Sequence, residues 1–363
     1  MKIGILTFHY ANNYGAVLQA YGLQEVLKSM GHQVEFVDYR NNLIEKRMNY
    51  FSLKYHSPFR VCIRLLRNFK DLSRRQKVFN EFRNKYLKVS SSVSSKTLSS
   101  TDYGMFVVGS DQVWNPNLTN GLDSVYWGDC SGNIPTIAYA ASSNDLFSLS
   151  LDEIQQIRKY AKNFAALGVR ENRLRDFFEQ KFNIHASVVL DPTLLAGHEI
   201  FDKITDTALF NEPYLLVYCV ENESIQLRDI ALKIAHEKKL KLVVISSGVR
   251  TDKHFWKDAT IITPTISQYL SLIKYANLVV SLSFHGTVFS IIFKKEFYSV
   301  KGGNMARVET LLKPLGLMDR IISDVSTIDD VPINYNSVDD MLRNMQDESL
   351  KFLLDGLKDI SEE

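Results

Sequence analysis

Cysteine, proline and long apolar runs are scarce in this chain. Its 363 residues include 3 Cys and 8 Pro. Cys62, Cys130 and Cys219 are odd in number and show no C-x-x-C spacing, which argues against a disulfide framework and a structural zinc site. No apolar stretch approaches the roughly 20 residues of a membrane span. The composition therefore predicts a soluble globular protein of about two domains, located in a reducing cytoplasm.

Several motifs of nucleotide and hydrolase chemistry are also missing. No G-x-G-x-x-G follows the first predicted strand, and the chain contains no G-x-x-x-x-G-K-[ST], H-E-x-x-H or G-x-S-x-G. These absences argue against a dinucleotide cofactor, a P-loop, a zincin site and an α/β-hydrolase site. We expect neither a metal nor a cofactor.

Positive charge is concentrated in one stretch. The formal net charge is +2, yet residues 40–88 hold 14 Lys or Arg against Glu45, Asp71 and Glu81. Apolar residues recur there at helical spacing, so we predict one or two basic amphipathic helices. One interpretation is a solvated helical face, and another is a surface for anionic lipid head groups or a phosphate-bearing acceptor. Nucleic acid is not expected, because no recognised binding motif accompanies the charge.

Strand and helix patterns alternate along most of the chain. The first repeat of this pattern predicts a strand over 2–8, a helix over 16–30 and a strand over 33–39. In the second half of the chain it predicts a strand over 278–281 and a helix over 286–293. Such alternation is typical of parallel α/β layers joined by crossover helices. We therefore predict an α/β protein with two Rossmann-like domains that face one another across a cleft.

The domain boundary is expected near residues 195–212. The N-terminal domain would span 1–200 and carry the basic helical insertion at about 45–88, followed by a Ser-rich loop over 90–100. The C-terminal domain would span 205–335. A final helical segment, 337–363, could pack back on the N-terminal domain.

Polar residues that follow predicted strands are the candidates for a site, because open parallel sheets bind ligands beyond the carboxyl ends of their strands. An Asp on a tight loop can orient or deprotonate a hydroxyl, and an Arg can hold a phosphate or carboxylate with two parallel N–H bonds. A His near a helix N-terminus can contact an anion or exchange a proton. Turns, helix caps and surface ion pairs are the alternatives for each. The candidates are His9, Asn12, Asn13, Asp111, Ser142, Arg170 and His285.

Seven groups of residues occur in a characteristic order. They are ANNYGAVLQ at 11–19, VGSDQVWN at 108–115, AYAAS at 138–142, VRE at 169–171, LDPT at 190–193, SFHGT at 283–287, and Arg307 with Leu311, Leu312, Asp319 and Arg320. Together they resemble the polysaccharide pyruvyl transferase family over about residues 1–320. The resemblance implies a fold similar to that of GT-B glycosyltransferases. It also implies transfer of a pyruvyl group from phosphoenolpyruvate to two hydroxyls of one sugar, which forms a ketal and releases phosphate.

For the reaction that the resemblance implies, we assign roles to individual residues as a hypothesis. His285 would serve the donor phosphate or deliver a proton, Asp111 would orient or deprotonate the acceptor hydroxyl, and Arg170 would hold the donor carboxylate or phosphate. The acceptor would be a sugar of a cell-surface polysaccharide or its lipid-linked precursor, reached from the cytoplasm or from the inner face of the membrane. The remaining substrate-binding candidates are Asn12, Asn13, Ser142, Ser283 and Arg307.

One position departs from the family pattern. Many members have an Arg two residues before the His, whereas this chain has Ser283 before His285. Either Arg170 or Arg307 supplies the missing cation, or the donor differs. A nucleotide-sugar glycosyltransferase is therefore the first alternative, and a non-catalytic protein that binds sugar or docks to a membrane is the second.

Overall fold

The computed structural model describes residues 1–48, 57–129, 131–143, 146, 149–220, 224–245, 254–302, 305–324, 328 and 331–358. The chain forms two compact units. The first comprises residues 1–65, 80–196 and 344–363, and the second comprises residues 66–79 and 197–343. Each unit contains one parallel sheet.

The first unit is built on a seven-stranded sheet of order β3-β2-β1-β4-β5-β6-β7, in which every neighbouring pair is parallel. The three central strands are mostly apolar and all of their residues except Lys2 are buried, as expected where helices cover both faces of a parallel sheet. The strands are β1 (Lys2–Leu6), β2 (Gln33–Asp38), β3 (Val89–Ser92), β4 (Met105–Val108), β5 (Thr136–Ala141), β6 (Ala166–Val169) and β7 (Ser187–Val188). The helices that begin in this unit are α1 (Tyr14–Ser29), α2 (Asn42–Met48), α3 (Pro58–Tyr86), α4 (Pro116–Thr119), α5 (Leu151–Tyr160), α6 (Asn172–Phe182) and α7 (Pro192–Ala196). Residues 66–79 of α3 belong to the second unit.

The second unit repeats the scheme with a six-stranded sheet of order β10-β9-β8-β11-β12-β13, again parallel throughout. Its strands are β8 (Tyr214–Tyr218), β9 (Lys241–Ile245), β10 (Thr260–Ile262), β11 (Leu278–Ser281), β12 (Glu296–Val300) and β13 (Ile321–Ile322). Its helices are α8 (His198–Asp202), α9 (Ile225–Glu237), α10 (Ile266–Lys274), α11 (Phe284–Ile292) and α12 (Met305–Leu312), and the last helix of the chain is α13 (Tyr335–Lys358).

The last half of α13 packs within the first unit. The Ser349 hydroxyl accepts a hydrogen bond from the Leu190 backbone N–H at 2.9 Å, and the Phe352 ring lies 6.3 Å from that of Tyr139.

Among the residues described, no helix has both the length and the apolarity needed to cross a membrane.

The elements differ from the sequence predictions at two informative places. The prediction of a Ser-rich loop from residue 90 was wrong, because Val89–Ser92 forms β3, which pairs with β2 through Phe36 and Val89. Its serines are mostly exposed at the sheet edge, so no apolar alternation marks it. The helix predicted to start at Gly286 begins at Phe284, which puts His285 inside its first turn. The basic stretch forms α2 and α3, and residues 49–56 lie outside the described residues.

Candidate active site

The candidate residues collect at the topological switch points of the two sheets. Strand order reverses between β1 and β4 in the first sheet and between β8 and β11 in the second. Ligands of open α/β sheets bind outside the carboxyl ends of the strands at such points. Asn12 and Asn13 follow β1 and Asp111 follows β4, while Ser283 and His285 follow β11. The two groups are described in turn.

The loop after β4 is held in an unusual backbone conformation that fixes Asp111. Gly109 has φ +115°, and a Cβ there would lie 2.3 Å from the Tyr139 carbonyl oxygen, so only glycine fits. Asp111 itself has φ +82°, in a region of backbone conformation that only a few per cent of non-glycine residues adopt. The Asp111 carbonyl accepts from the Ser142 N–H at 3.0 Å, and its Oδ1 accepts from the Gln112 N–H at 2.8 Å. The loop therefore presents one part-buried carboxylate in a fixed position.

Arg170 lies at the end of β6 between two carboxylates. Its Nη1 is 2.8 Å from Asp191 Oδ2, and its Nη2 is 3.9 Å from Asp111 Oδ1. The Arg170 side chain is 2% exposed and that of Asp191 is fully buried. Thr193 donates to Asp191 Oδ1 from its N–H at 3.0 Å and from its hydroxyl at 2.6 Å. One cation and two carboxylates thus form a buried group with an excess of negative charge.

Ser142 belongs to the same group. Its hydroxyl donates a hydrogen bond to Glu171 Oε1, and both residues are buried. The structure therefore brings Asp111, Ser142 and Arg170 together at the ends of β4, β5 and β6, as expected of residues at one edge of a parallel sheet.

Arg83, a residue of α3, holds the loop after β1, and no sequence motif had indicated this role. Arg83 donates from Nη1 to the carbonyls of Tyr10 at 3.2 Å and Ala11 at 3.3 Å, and from Nη2 to Asn12 Oδ1 at 3.0 Å and Asn80 Oδ1 at 2.6 Å. Burial lowers the pKa of Arg83 to about 10, aided by the nearby charge of Arg40. Asn13 uses its side chain to cap α1, accepting from the Ala16 N–H at 3.1 Å. Asn12 and Asn13 therefore shape this loop.

His9 faces a carboxylate at the end of β2. Its Nε2 lies 3.5 Å from Asp38 Oδ1, and its Nδ1 lies 3.2 Å from the Thr7 carbonyl oxygen. The Arg40 guanidinium donates two hydrogen bonds to the Asp38 carboxylate, at 2.7 and 3.2 Å. Burial lowers the pKa of His9, against the opposing effect of Asp38. Asp38 ends β2 and lies one residue before the end of the strand predicted over 33–39, and that position was the only sequence signal for it.

The turn after β11 is closed by Ser281. Its hydroxyl lies 2.9 Å from the Tyr218 carbonyl oxygen and accepts from the Ser283 N–H at 2.9 Å. A Cβ at Gly286 would lie 2.1 Å from Ser281 Oγ, so the first turn of α11 packs directly onto this serine. Ser283 is the N-cap residue of α11, and its own side chain makes no capping hydrogen bond.

His285 and Arg307 meet at Phe284. The Arg307 guanidinium lies 5.5 Å from the centroid of the Phe284 ring, and the His285 ring lies 5.3 Å from the same ring at 80°. His285 and Arg307 are each 7% exposed. A histidine, a buried arginine and a helix N-terminus thus share one end of the second sheet, an arrangement that favours an anionic ligand. Within the described ranges, no cluster of three or more His, Cys, Asp or Glu has the arrangement of a metal site.

Solved structures with the same fold bind nucleotide sugars. The chain is similar to a UDP-GlcNAc 2-epimerase from Neisseria meningitidis bound to UDP-GlcNAc, with a TM-score of 0.54, 10% identity, and coverage of 99% of this chain and 100% of that one. It is also similar to a Methanocaldococcus jannaschii UDP-GlcNAc 2-epimerase, with a TM-score of 0.50, 14% identity, and coverage of 95% of this chain and 93% of that one. A third similar structure is S. aureus MnaA in complex with UDP, with a TM-score of 0.51, 11% identity, and coverage of 96% of this chain and 89% of that one. No curated protein sequence matches. At these identities the likeness establishes the fold alone.

The fold is thus of the α/β GT-B type, and the two parallel sheets confirm the predicted α/β class with two Rossmann-like domains. Residues 13–303 match the polysaccharide pyruvyl transferase family. Because that match spans most of the chain, the protein belongs to this family of transferases, as the motifs predicted.

Proposed function

We propose that the protein transfers a pyruvyl group from phosphoenolpyruvate to two hydroxyls of one sugar, in a cell-surface polysaccharide or its lipid-linked precursor. The observation that carries the proposal is the pairing of His285 and Arg307 around Phe284 at the second switch point. The reaction needs a cation for an anionic donor and a group that exchanges protons. Both are present there.

The missing arginine of the family pattern is replaced by Arg307 in this proposal. Arg170 is the weaker choice, because Asp191 already pairs with it at 2.8 Å and Asp111 lies 3.9 Å away. With Asp191 bound to its Nη1 and Asp111 near its Nη2, the Arg170 guanidinium has fewer N–H groups left to hold phosphoenolpyruvate. Arg307 instead stacks on the ring beside His285, and it would hold the donor phosphate or carboxylate with its planar fork.

The steps of ketal formation then divide among the named side chains. His285 would deliver a proton to the methylene carbon of phosphoenolpyruvate as a sugar oxygen bonds to the central carbon. Asp111 would orient that hydroxyl and accept its proton, and Arg170 lies 3.9 Å from its Oδ1. The C–O bond to phosphate then breaks, and the second hydroxyl attacks the same carbon. Its proton leaves with the phosphate, so two hydroxyls and one phosphoenolpyruvate give one ketal and one phosphate.

The test combines phosphate release with product detection. Protein, phosphoenolpyruvate and a panel of hexose disaccharides should release phosphate only when an acceptor is present, and the product should show the methyl singlet of a pyruvyl ketal by NMR. A parallel panel of nucleotide sugars tests glycosyl transfer by release of the nucleotide. Turnover of a nucleotide sugar alone would replace the proposal with a glycosyltransferase. Turnover of neither donor, with saccharide still bound, would favour the non-catalytic alternative.

We also propose that α3 contacts anionic lipid. Phe59 and Phe69 are 75% and 50% exposed, and Lys70, Arg74 and Lys77 are exposed on the same helix. Exposed aromatic and basic side chains together bind anionic bilayer surfaces. The protein should sediment with vesicles containing phosphatidylserine, and not with phosphatidylcholine vesicles, and Lys70→Glu with Arg74→Glu should abolish the difference. Equal sedimentation with both vesicle types would exclude this contact.

A further inference from the structure

A polar cavity lies in the first unit away from the switch point, beyond the carboxyl ends of β2 and β3. Its volume is about 750 Å³, and it is lined by residues 39–43, 45–46, 92–95 and 119–120. These residues come from the segment after β2, from α2, from the end of β3 and from the end of α4. The volume is in the range of pockets that bind small ligands.

One wall of the cavity is fixed by a network of hydrogen bonds. Asn41 Nδ2 donates to the Thr119 carbonyl at 2.9 Å and to Asp123 Oδ2 at 2.7 Å. Tyr39 donates its hydroxyl to the same carboxylate at 2.9 Å. Asn41 also receives a hydrogen bond on Oδ1 from the Leu43 N–H at 3.0 Å. A wall held in this way needs no ordering when a ligand binds, which favours affinity.

The charges around the cavity largely cancel. Arg40 is engaged by Asp38 through two hydrogen bonds, and the basic Lys46 of α2 is accompanied by the acidic Glu45. A phosphate would therefore find no excess of positive charge in this cavity. The feature that remains is a high density of neutral hydrogen-bonding groups, contributed by Asn42, Ser92, Ser94, Ser95 and Asn120.

We infer that this cavity binds the neutral saccharide part of the acceptor. Hydroxyl and amide groups that both donate and accept match the hydroxyls of a sugar, and Tyr39, Leu43 and Val93 offer apolar contact to its ring faces. The inference rests on the proposed function, which requires a saccharide acceptor, and it adds where in the chain that saccharide binds. Several of these residues belong to the segment between β2 and β4, which also carries the basic helices.

Two serines of β3 supply a matched pair of variants. Successive side chains of a strand point to opposite faces, and Ser92 lines the cavity while Ser91 does not. Ser92→Trp should fill part of the cavity and weaken the binding of lactose, maltose or cellobiose by tenfold or more in NMR titrations. Ser91→Trp should change that binding by less than twofold. Asn42→Trp, in the exposed first turn of α2, gives a second test if Ser92→Trp does not fold.

The outcomes separate this inference from the proposed function. Stabilisation of the protein by phosphoenolpyruvate, followed in thermal melts, should be the same in all three variants and the wild type. Equal saccharide binding by Ser92→Trp, Asn42→Trp and the wild type would overturn the inference. The inference would also fail if Ser91→Trp lost as much saccharide affinity as Ser92→Trp, or if the wild type bound none of the three disaccharides. Loss of saccharide affinity in Ser92→Trp and Asn42→Trp, but not in Ser91→Trp, supports the inference even if phosphoenolpyruvate proves not to be the donor.

Discussion

The Arg307 guanidinium stacks over the ring of Phe284, with 5.5 Å between the guanidinium carbon and the ring centroid. Phe284 precedes His285 in the first turn of α11, and the His285 ring lies 5.3 Å from the same Phe284 ring, so the cation and the histidine contact one aromatic side chain. In the proposed function, Arg307 of α12 supplies the cation that many family members carry at the position of Ser283.

Replacement of His285 should lower the rate of ketal formation without unfolding the protein. We expect His285→Ala to lower the rate of ketal formation by roughly 10²–10⁴-fold, because a positioned proton donor contributes about that much. The surface residue His198, in α8 of the same unit, provides the control as His198→Ala. Unchanged turnover in a folded His285→Ala protein would remove His285 from the mechanism.

The same Gly→Ala substitution should have opposite effects in two helices. At Gly286 the new methyl group would lie 2.1 Å from Ser281 Oγ, so we expect the free energy of unfolding to fall by about 1–3 kcal/mol. At Gly356 in α13 the nearest atom would lie 3.5 Å away, and the protein should gain up to about 1 kcal/mol from helix propensity. Urea unfolding measures both. A neutral Gly286→Ala would show that the turn after β11 is not tightly packed.

Arg83 should stabilise the loop that contains Asn12. Arg83→Gln leaves the carbonyls of Tyr10 and Ala11 without their donor, at an expected cost of about 1–3 kcal/mol in the free energy of unfolding. Hydrogen exchange in residues 8–13 should accelerate in this variant. Lys85→Gln, on the exposed side of α3, is the control. Equal exchange rates in both variants would mean that Arg83 does not hold the loop.

The contacts of the Asp38 carboxylate with His9 and Arg40 should make the free energy of unfolding depend on pH under acid conditions. Burial alone would raise the pKa of Asp38, but hydrogen bonds from His9 and Arg40 outweigh it and lower the pKa from 3.8 to about 2. A carboxyl that is more acidic in the folded state contributes stability above about pH 4, and that contribution disappears as the pH falls toward 2. The wild type should therefore be more stable than Asp38→Asn at pH 6, and the difference should shrink between about pH 4 and 2.

Urea unfolding across this pH range provides the measurement, and Asp347→Asn on the exposed face of α13 provides the control. A difference between wild type and Asp38→Asn that stays constant down to pH 2 would contradict the assigned pKa.

The sequence predicted the elements whose apolar pattern is strong and the loops that follow them. β11 and its turn were placed correctly, although α11 begins two residues before the predicted start because Phe284 enters its first turn. β3 was missed because an edge strand of serines needs no apolar face, and β10 and β13, with three and two residues, are too short to show a period. The contacts of Arg307 with Phe284 and of Arg83 with Asn12 depend on tertiary packing, which no local pattern encodes.

The account depends most directly on phosphoenolpyruvate binding through His285 and Arg307. Isothermal titration of phosphoenolpyruvate into the wild type, His285→Ala, Arg307→Gln and the exposed control Arg343→Gln measures it. Hydrogen bonds to a charged group contribute about 1.5–3 kcal/mol, so Arg307→Gln should weaken binding by roughly tenfold or more, and Arg343→Gln should bind like the wild type. Equal affinity of the wild type and Arg307→Gln, or binding of nucleotide sugars alone, would contradict the account.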